Sequence, residues 1–274
     1  LHTWLRRQRQ MCIRDSYSPS ATDYYIVAYE DEFPNKGDYD LNDLVVAYRV
    51  TFGLDAEGLV KTIEGNGYLI ARGGLYDHDW HLRIPFNVST QSAGEFALYS
   101  PPEADLSFDR IDAIDVSEDL DIKVFSNTKT LFTDPLAPFV NTLPESDQIR
   151  GEKFTFTITL ANAIALSDIG PAPFDPYLVV NSTGYEVHLP GNSAVNQNSS
   201  NILRNKDVYV DENGYPFAHI FPEGWKNPLE RVDIGSAYPN LLDFVNSGKK
   251  EHVDWYLRGV DGLLAPTDVT HWKW

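Results

Sequence analysis

The sequence predicts an all-β chain, an antiparallel β-sandwich or jelly roll with one short helix near 239–247. Three observations carry this expectation. Short β-branched and aromatic runs recur along the chain, clusters of Gly, Pro, Asn and Asp separate them, and no βαβ alternation is present. The runs YYIVAYE (24–30), LVVAYRVTFG (44–53), GYLIARGG (67–74), HLRIPF (81–86), EFALYS (95–100) and IKVFS (122–126) read as strands. So does KFTFTITLAN (153–162), where Phe154, Phe156, Ile158 and Leu160 fall on one face and Lys153, Thr155, Thr157 and Thr159 on the other. That alternation suits a sheet with one wet side. YEVHLP (185–190), DVYV (207–210), PFAHIF (216–221) and VDWYLR (253–258) continue the series. Between 207–210 and 216–221 stands Asn213-Gly214, a hairpin signal because both central positions of such a turn need positive φ. PNLLDFVNS (239–247) opens with Pro, carries apolar Leu241, Leu242, Phe244 and Val245, and is followed by Gly248, the pattern of a short capped helix.

At 274 residues the chain buries roughly three quarters of the surface its unfolded form exposes, so a core forms without disulfides or a structural metal. A single Cys rules out an internal disulfide and a Cys-based zinc set. The formal net charge of -18 repels phosphate backbones, and no basic cluster interleaved with aromatics opposes that field, which argues against nucleic acid as partner. No apolar run approaches the roughly 20 residues that span a bilayer, so no transmembrane segment is expected in this chain. The first sixteen residues differ from the rest: they hold the lone Met11 and Cys12 and four of the arginines, Arg6, Arg7, Arg9 and Arg14. The string CIRDS resembles translated sequencing-adapter DNA. Residues 1–16 are therefore read as a non-native leader, with a basic arm or an amphipathic surface helix as the alternatives, and 17–274 as a single domain. The Pro-rich stretch 132–147 is expected to be a surface crossover inside that domain, and the polar stretch 192–201 a mobile loop.

The sharpest chemical feature is YEDEFPNKGDYDLNDLVVAYRV (29–50), which sets Glu30, Asp31, Glu32, Asp38, Asp40, Asn42 and Asp43 directly ahead of an apolar strand. Oxygen ligands at Asp38, Asp40 and Asn42 have the one, three, five spacing with which a tight loop wraps a hard cation. Calcium, which takes about six to eight oxygens at flexible angles, fits better than magnesium. The loop departs from the EF-hand pattern, with Asp43 at the sixth position in place of Gly and Arg49 at the twelfth in place of Glu. Further ligands are then expected from Asp43, Glu30 or Asp31. The competing reading is a solvated acidic turn; the density of oxygen side chains, which repel one another without a cation, favours the metal.

The run Glu30-Asp31 through Pro34, Gly37-Asp38-Tyr39-Asp40 and Asn42-Asp43-Leu44-Val45 resembles the signature of the LruC domain, found at the C-terminal end of bacterial exported lipoproteins and surface proteins. ARGGLYDHDWHLRIPF (71–86), 173–191, 214–248 and DWYL (254–257) are similar to its later blocks in the same order, so the resemblance covers about residues 24–260. It implies a cell-envelope (outer-membrane surface) or secreted location, with a signal or anchor upstream, and carries no settled catalytic chemistry. Its acidic positions fall here on Glu30, Asp31, Asp38, Asp40, Asn42 and Asp43. Leu41 stands where an aromatic residue is common, a departure at a non-ligand position.

Other candidates are weaker. His78 and His81 form H-x-x-H, but on a strand that spacing puts the imidazoles on opposite faces, so a shared zinc is disfavoured. His188 and His219 sit in apolar strands, where a hydrogen-bonded core histidine is the common case. No G-x-S-x-G, G-x-x-x-x-G-K or H-E-x-x-H occurs, and the chain is not expected to be an enzyme. Trp225, Trp255, Tyr256, Trp272 and Trp274 would make a sugar-stacking platform if exposed; core packing is expected for Trp255, exposure for Trp272 and Trp274. The functional expectation is a calcium-binding recognition or adhesion module for an extracellular or envelope ligand, a glycan or a peptide. The alternatives are a structural surface domain without ligand and, more remotely, a carbohydrate-active hydrolase.

Overall fold

The structure is a computed structural model that describes residues 14–100, 107–116, 119–132, 137–145, 148–196, 209–212, 214–269 and 272. Two antiparallel sheets face each other. The larger runs β12-β2-β3-β4-β9-β6-β7, built from Ala218–Phe221 (β12), Tyr25–Tyr29 (β2), Leu44–Leu54 (β3), Val60–Ala71 (β4), Lys153–Ile164 (β9), Ser92–Ser100 (β6) and Ser107–Val116 (β7). β1 (Arg14–Ser18) joins it beside β3. The smaller runs β11-β10-β5-β8, from Tyr185–Val187 (β11), Asp175–Val180 (β10), His78–Ile84 (β5) and Leu120–Phe125 (β8). The expected sandwich is therefore present.

β3 organises the larger sheet. Its first half, from Leu44 to Tyr48, pairs with β2, and its second half, from Val50 to Leu54, pairs with β1, so β1 and β2 lie end to end along one side of it. Arg14, Asp15 and Ser16, inside the stretch read as a leader, thus pair with Leu54, Gly53 and Phe52. Val46, Tyr48 and Val50 face the core between the sheets, where they meet Trp80, Leu82, Leu120, Ile122 and Phe154. Val45 and Ala47 face the other way, into a second apolar cluster with Tyr24, Tyr68, Trp225, Tyr238, Trp255 and Trp272. A strand buried on both faces accounts for the unbroken run LVVAY. β9 keeps the predicted alternation, with Phe154, Phe156, Ile158 and Leu160 buried and Thr157 and Thr159 exposed.

The second cluster shows that the chain after β12 forms a third layer. It contains α1 (Ile234–Ala237) and α2 (Asn240–Asn246), so the predicted helix is present and a one-turn helix precedes it. Two expectations fail in this layer. The run at 253–258 is a 3-10 turn at Trp255–Leu257, closed by local bonds from Leu257 N to Asp254 O and Arg258 N to Trp255 O, both 3.0 Å, rather than a strand. Trp272 is buried, its ring edge-on to Tyr68 at 6.4 Å, rather than exposed; Trp274 lies outside the described residues. Trp225 and Trp255 are buried too, so no candidate tryptophan among the described residues is exposed for sugar stacking. The expected surface crossover is partly interior: Val140 bridges to Arg72, and buried Asn141 bonds Ile70 O and Ile149. In the stretch expected to be mobile, Val195 N and Asn196 N are held by Glu186, and 197–201 lies outside the described residues. The hairpin after Tyr209 closes by the Val210 to Pro216 bridge with Gly214 at φ 85; Asn213 is outside the described residues.

Trp80 joins the sheets: it is fully buried, donates to Tyr29 Oη at 3.0 Å, and packs on Tyr48, Phe125 and Phe154. Trp80→Ala is expected to cost about 3–5 kcal/mol in urea denaturation through the cavity it leaves. A loss below about 1 kcal/mol would show that the inter-sheet core does not depend on it.

Candidate metal centre

β2 and β3 are neighbours, with Tyr29 opposite Leu44, so residues 30–43 must leave the sheet and return to the same end of it. The loop closes on itself through its own carboxylates. Asp31 N donates to Asp43 Oδ2 at 2.8 Å, Leu41 N to Glu30 Oε1 at 2.7 Å, and Asn42 N to Asp40 Oδ1 at 3.1 Å. It also reaches the third layer: Arg231 N donates to Asp40 Oδ2 at 2.7 Å, Asn42 Nδ2 to Pro228 O at 3.2 Å, and Ile234 N to Tyr39 O at 2.8 Å. Tyr39 and Leu41 hold left-handed backbone, φ 60 and 51, a conformation costing roughly 1–2 kcal/mol per residue. Both side chains are buried, Leu41 in the second apolar cluster, while Asp40 between them joins the carboxylates of Glu30 and Asp38.

The six predicted ligands fall into two sets. Glu30, Asp38 and Asp40 each place a carboxylate oxygen within 4.8 Å of the others, with Glu30 and Asp40 buried and Asp38 exposed. A Cβ on Gly37 would stand 1.9 Å from Glu30 Oε2, so glycine there keeps the space for that carboxylate. Asp31, Asn42 and Asp43 face a different element, the Gly73-Gly74 dipeptide that follows β4. A Cβ on Gly73 would lie 1.8 Å from Asn42 Oδ1, and one on Gly74 would lie 2.6 Å from Asp31 Oδ2 and 3.2 Å from Asp43 Oδ1.

The electrostatics are those of like charges forced out of water. Burial, then the charges of Asp40 and Asp38, holds the Glu30 carboxyl well above the usual carboxylate range. Burial and Asp38 push Asp40 up to about 8, against the bonds it accepts from Arg231 and Asn42. Burial, then Asp31, Glu30 and Asp40, raises Asp43 in the same sense. All three would release their protons to a cation that replaced them.

Two contributors were missed by sequence reasoning. Glu230 adds a carboxyl pushed up to about 7 by burial and Asp38, and its Oε2 is buried without a hydrogen-bond partner among the described residues. No spacing signal could find it, because it approaches the loop only through the third layer. His78 was weighed only as a zinc ligand with His81. β5 does place the two on opposite faces: His78 is buried with Nε2 2.8 Å from Asp31 Oδ2, and His81 stacks on Tyr177. His188 is a buried core histidine as expected, held between Asp175 at 2.8 Å and Glu186 at 3.3 Å.

Fold and loop together define a two-sheet β-sandwich domain with a third, mostly non-strand layer and a buried oxygen-rich loop at the end of its larger sheet. The chain belongs to the family described as Domain of unknown function (DUF4842), whose model matches residues 58–256. Gly73, Gly74, His78 and Glu230 lie inside that match and the acidic loop lies ahead of it. The chain is also similar in fold to the crystal structure of a "Putative lipoprotein" from Bacteroides ovatus. The TM-score is 0.67 at 12% identity, over 92% of this chain and 75% of that one. No curated protein matches the chain.

The sign of the pH dependence follows from Asp40. Its carboxyl moves from an ordinary value of 3.8 to about 8 on folding. The stability it contributes is therefore complete below about pH 4 and lost as pH rises through about 8. In chelator, the melting temperature should fall across that window, and Asp40→Asn should flatten the fall. An equally steep decline in the variant would show that Asp40 is not the group responsible.

Proposed function

We propose that this is a calcium-binding recognition module of an exported or cell-envelope protein, of the LruC type, acting by binding rather than catalysis. The observation that carries the calcium reading is the set Glu30, Asp38 and Asp40, three carboxylates within 4.8 Å, two of them almost wholly removed from water. An all-oxygen set on a loop closed by side-chain to backbone bonds suits calcium, and the Glu230 carboxyl adds negative charge nearby from the third layer. The exported location is supported by the resemblance of the acidic signature and by the structural neighbour's being described as a "Putative lipoprotein".

The recognition reading rests on what the other side of the loop does. Tyr39 and Leu41, which alternate with the carboxylates, line a cavity of about 670 Å3 together with Tyr215, Ile234, Leu242 and Val245. That volume is in the range of small-ligand sites. Tyr39 is held there by its hydroxyl bond to Asp211 and by its ring on Tyr215 at 5.1 Å. An ion that fixes Asp38 and Asp40 thereby fixes one wall of the cavity, so ligand binding should depend on calcium.

Calcium at about one hundred times its dissociation constant should add about 2.7 kcal/mol to stability by mass action. Asp38→Asn is the cleanest variant because Asp38 is exposed. Calorimetry should show calcium affinity at least about tenfold weaker, with the melting temperature in chelator nearly unchanged. No measurable calcium binding by the parent chain would end the reading. Calcium binding without any calcium-dependent partner on glycan and peptide arrays would leave a structural domain instead.

A further inference from the structure

We propose that the acidic loop serves two cations, and that Asp31, Asn42 and Asp43, facing the Gly73-Gly74 dipeptide, form a second calcium centre. The inference rests on the calcium reading of the first centre, formed by Glu30, Asp38 and Asp40.

The division is geometric. Among the described residues, the set of carboxylates with oxygens within 4.8 Å of one another holds Glu30, Asp38 and Asp40 and neither Asp31 nor Asp43. The second set packs against two glycines, where a side chain would strike its oxygens at 1.8 Å, 2.6 Å and 3.2 Å. Neither Gly73 nor Gly74 has left-handed backbone, so conformation does not account for glycine at these positions.

The independent observation is Asn42. It is 0% exposed, its amide nitrogen donates to Pro228 O, and its Oδ1, aimed at Gly73, has no hydrogen-bond partner among the described residues. Buried acceptors are almost always satisfied, and no donor meets this one. The nearby charge is only partly compensated. Arg72 is buried beside Asp31 and Asp43 but spends its guanidinium on the carbonyls of Ala137, Pro138 and Tyr76, and it forms no ion pair with either carboxylate among the described residues. His78 bonds Asp31 through Nε2 at 2.8 Å and meets Thr128 Oγ1 through Nδ1 at 3.3 Å. That is how an outer histidine orients a ligating carboxylate. Asp43 accepts Asp31 N on Oδ2 and leaves Oδ1 facing Gly74. Two carboxylates and a neutral amide oxygen are hard donors, the chemistry of calcium rather than of zinc or copper.

The test is stoichiometry on the full chain stripped with chelator, by calorimetric titration with calcium and by equilibrium dialysis with metal analysis. The parent should bind two ions per chain, and Asp43→Asn and Asp38→Asn one each. Gly74→Ala, which puts a methyl group against Asp31 and Asp43, should also reduce two to one and serves if Asp43→Asn does not fold. One ion in the parent overturns the second centre and leaves the first standing. Loss of both ions from a folded Asp43→Asn or Gly74→Ala chain also overturns it, since the six residues would then share one centre. No ion in the parent overturns both readings.

Discussion

Four carboxyls of one loop, those of Glu30, Asp31, Asp40 and Asp43, are drawn towards the protein interior because both ends of that loop are core strands. β2 and β3 are adjacent and buried, so the chain between Tyr29 and Leu44 has nowhere to go but over the end of the sandwich, and Glu30, Asp31 and Asp40 end up almost without solvent. Burying like charges together is opposed by desolvation and by mutual repulsion, and the raised Glu30, Asp40 and Asp43 carboxyls express both. The loop offsets part of this by turning its own amides, and those of the third layer, onto the carboxylates. Neutral dipoles cannot cancel a cluster of full charges, so either protons or cations must complete it.

Much of the tertiary structure hangs on that loop. Glu30 N reaches Phe217 O beside β12, His78 reaches Asp31 from the smaller sheet, and Arg231, Ile234 and Pro228 reach Asp40, Tyr39 and Asn42 from the third layer. The third layer has its own apolar attachment, in which Trp225 stacks on Phe221 at 3.8 Å and Trp255 packs edge-on to Tyr238 at 5.5 Å. Aromatic burial therefore holds the layer on the sheet, while the loop sets where its first helical turn lies. The cavity beside Tyr39 is bounded by both, so its shape is sensitive to the loop even though its walls are mostly apolar.

The strands that were legible in the sequence are those whose side chains obey a single burial pattern. β9 alternates because one face is wet, and β3 is continuously apolar because both faces are covered. Three strands were not read. β10 begins Asp175-Pro176, turn chemistry in isolation, but Asp175 is taken by His188 and Asn192 inside the fold. β7 carries aspartates along its length, and β1 lies partly in the basic leader. The run at 253–258 has strand composition, yet Trp255 is wanted in the aromatic cluster and a single 3-10 turn delivers it there. The acidic loop was legible because its residues are local. Its division into two sets was not, because Gly73-Gly74 lies beyond β3 and β4 in sequence and only the fold brings it close.

The family match and the loop also bear on what constitutes the working unit. Residues 58–256 contain β4 and β12 but neither β2 nor β3. In the sheet, β2 and β3 stand between β12 and β4, and β2 is the strand with which β12 pairs. Removing them would strip β12 of that ladder, expose one edge of β4, and uncover the apolar faces of Trp80 and Tyr68 that Tyr48 and Ala47 protect. Such a fragment has lost the centre of its larger sheet, not an appendage. The same two strands carry the loop, so the segment that completes the fold is the one that supplies the carboxylates. Glu230, His78 and the paired glycines, all within 58–256, acquire their place against the oxygen cluster only when 25–54 is present.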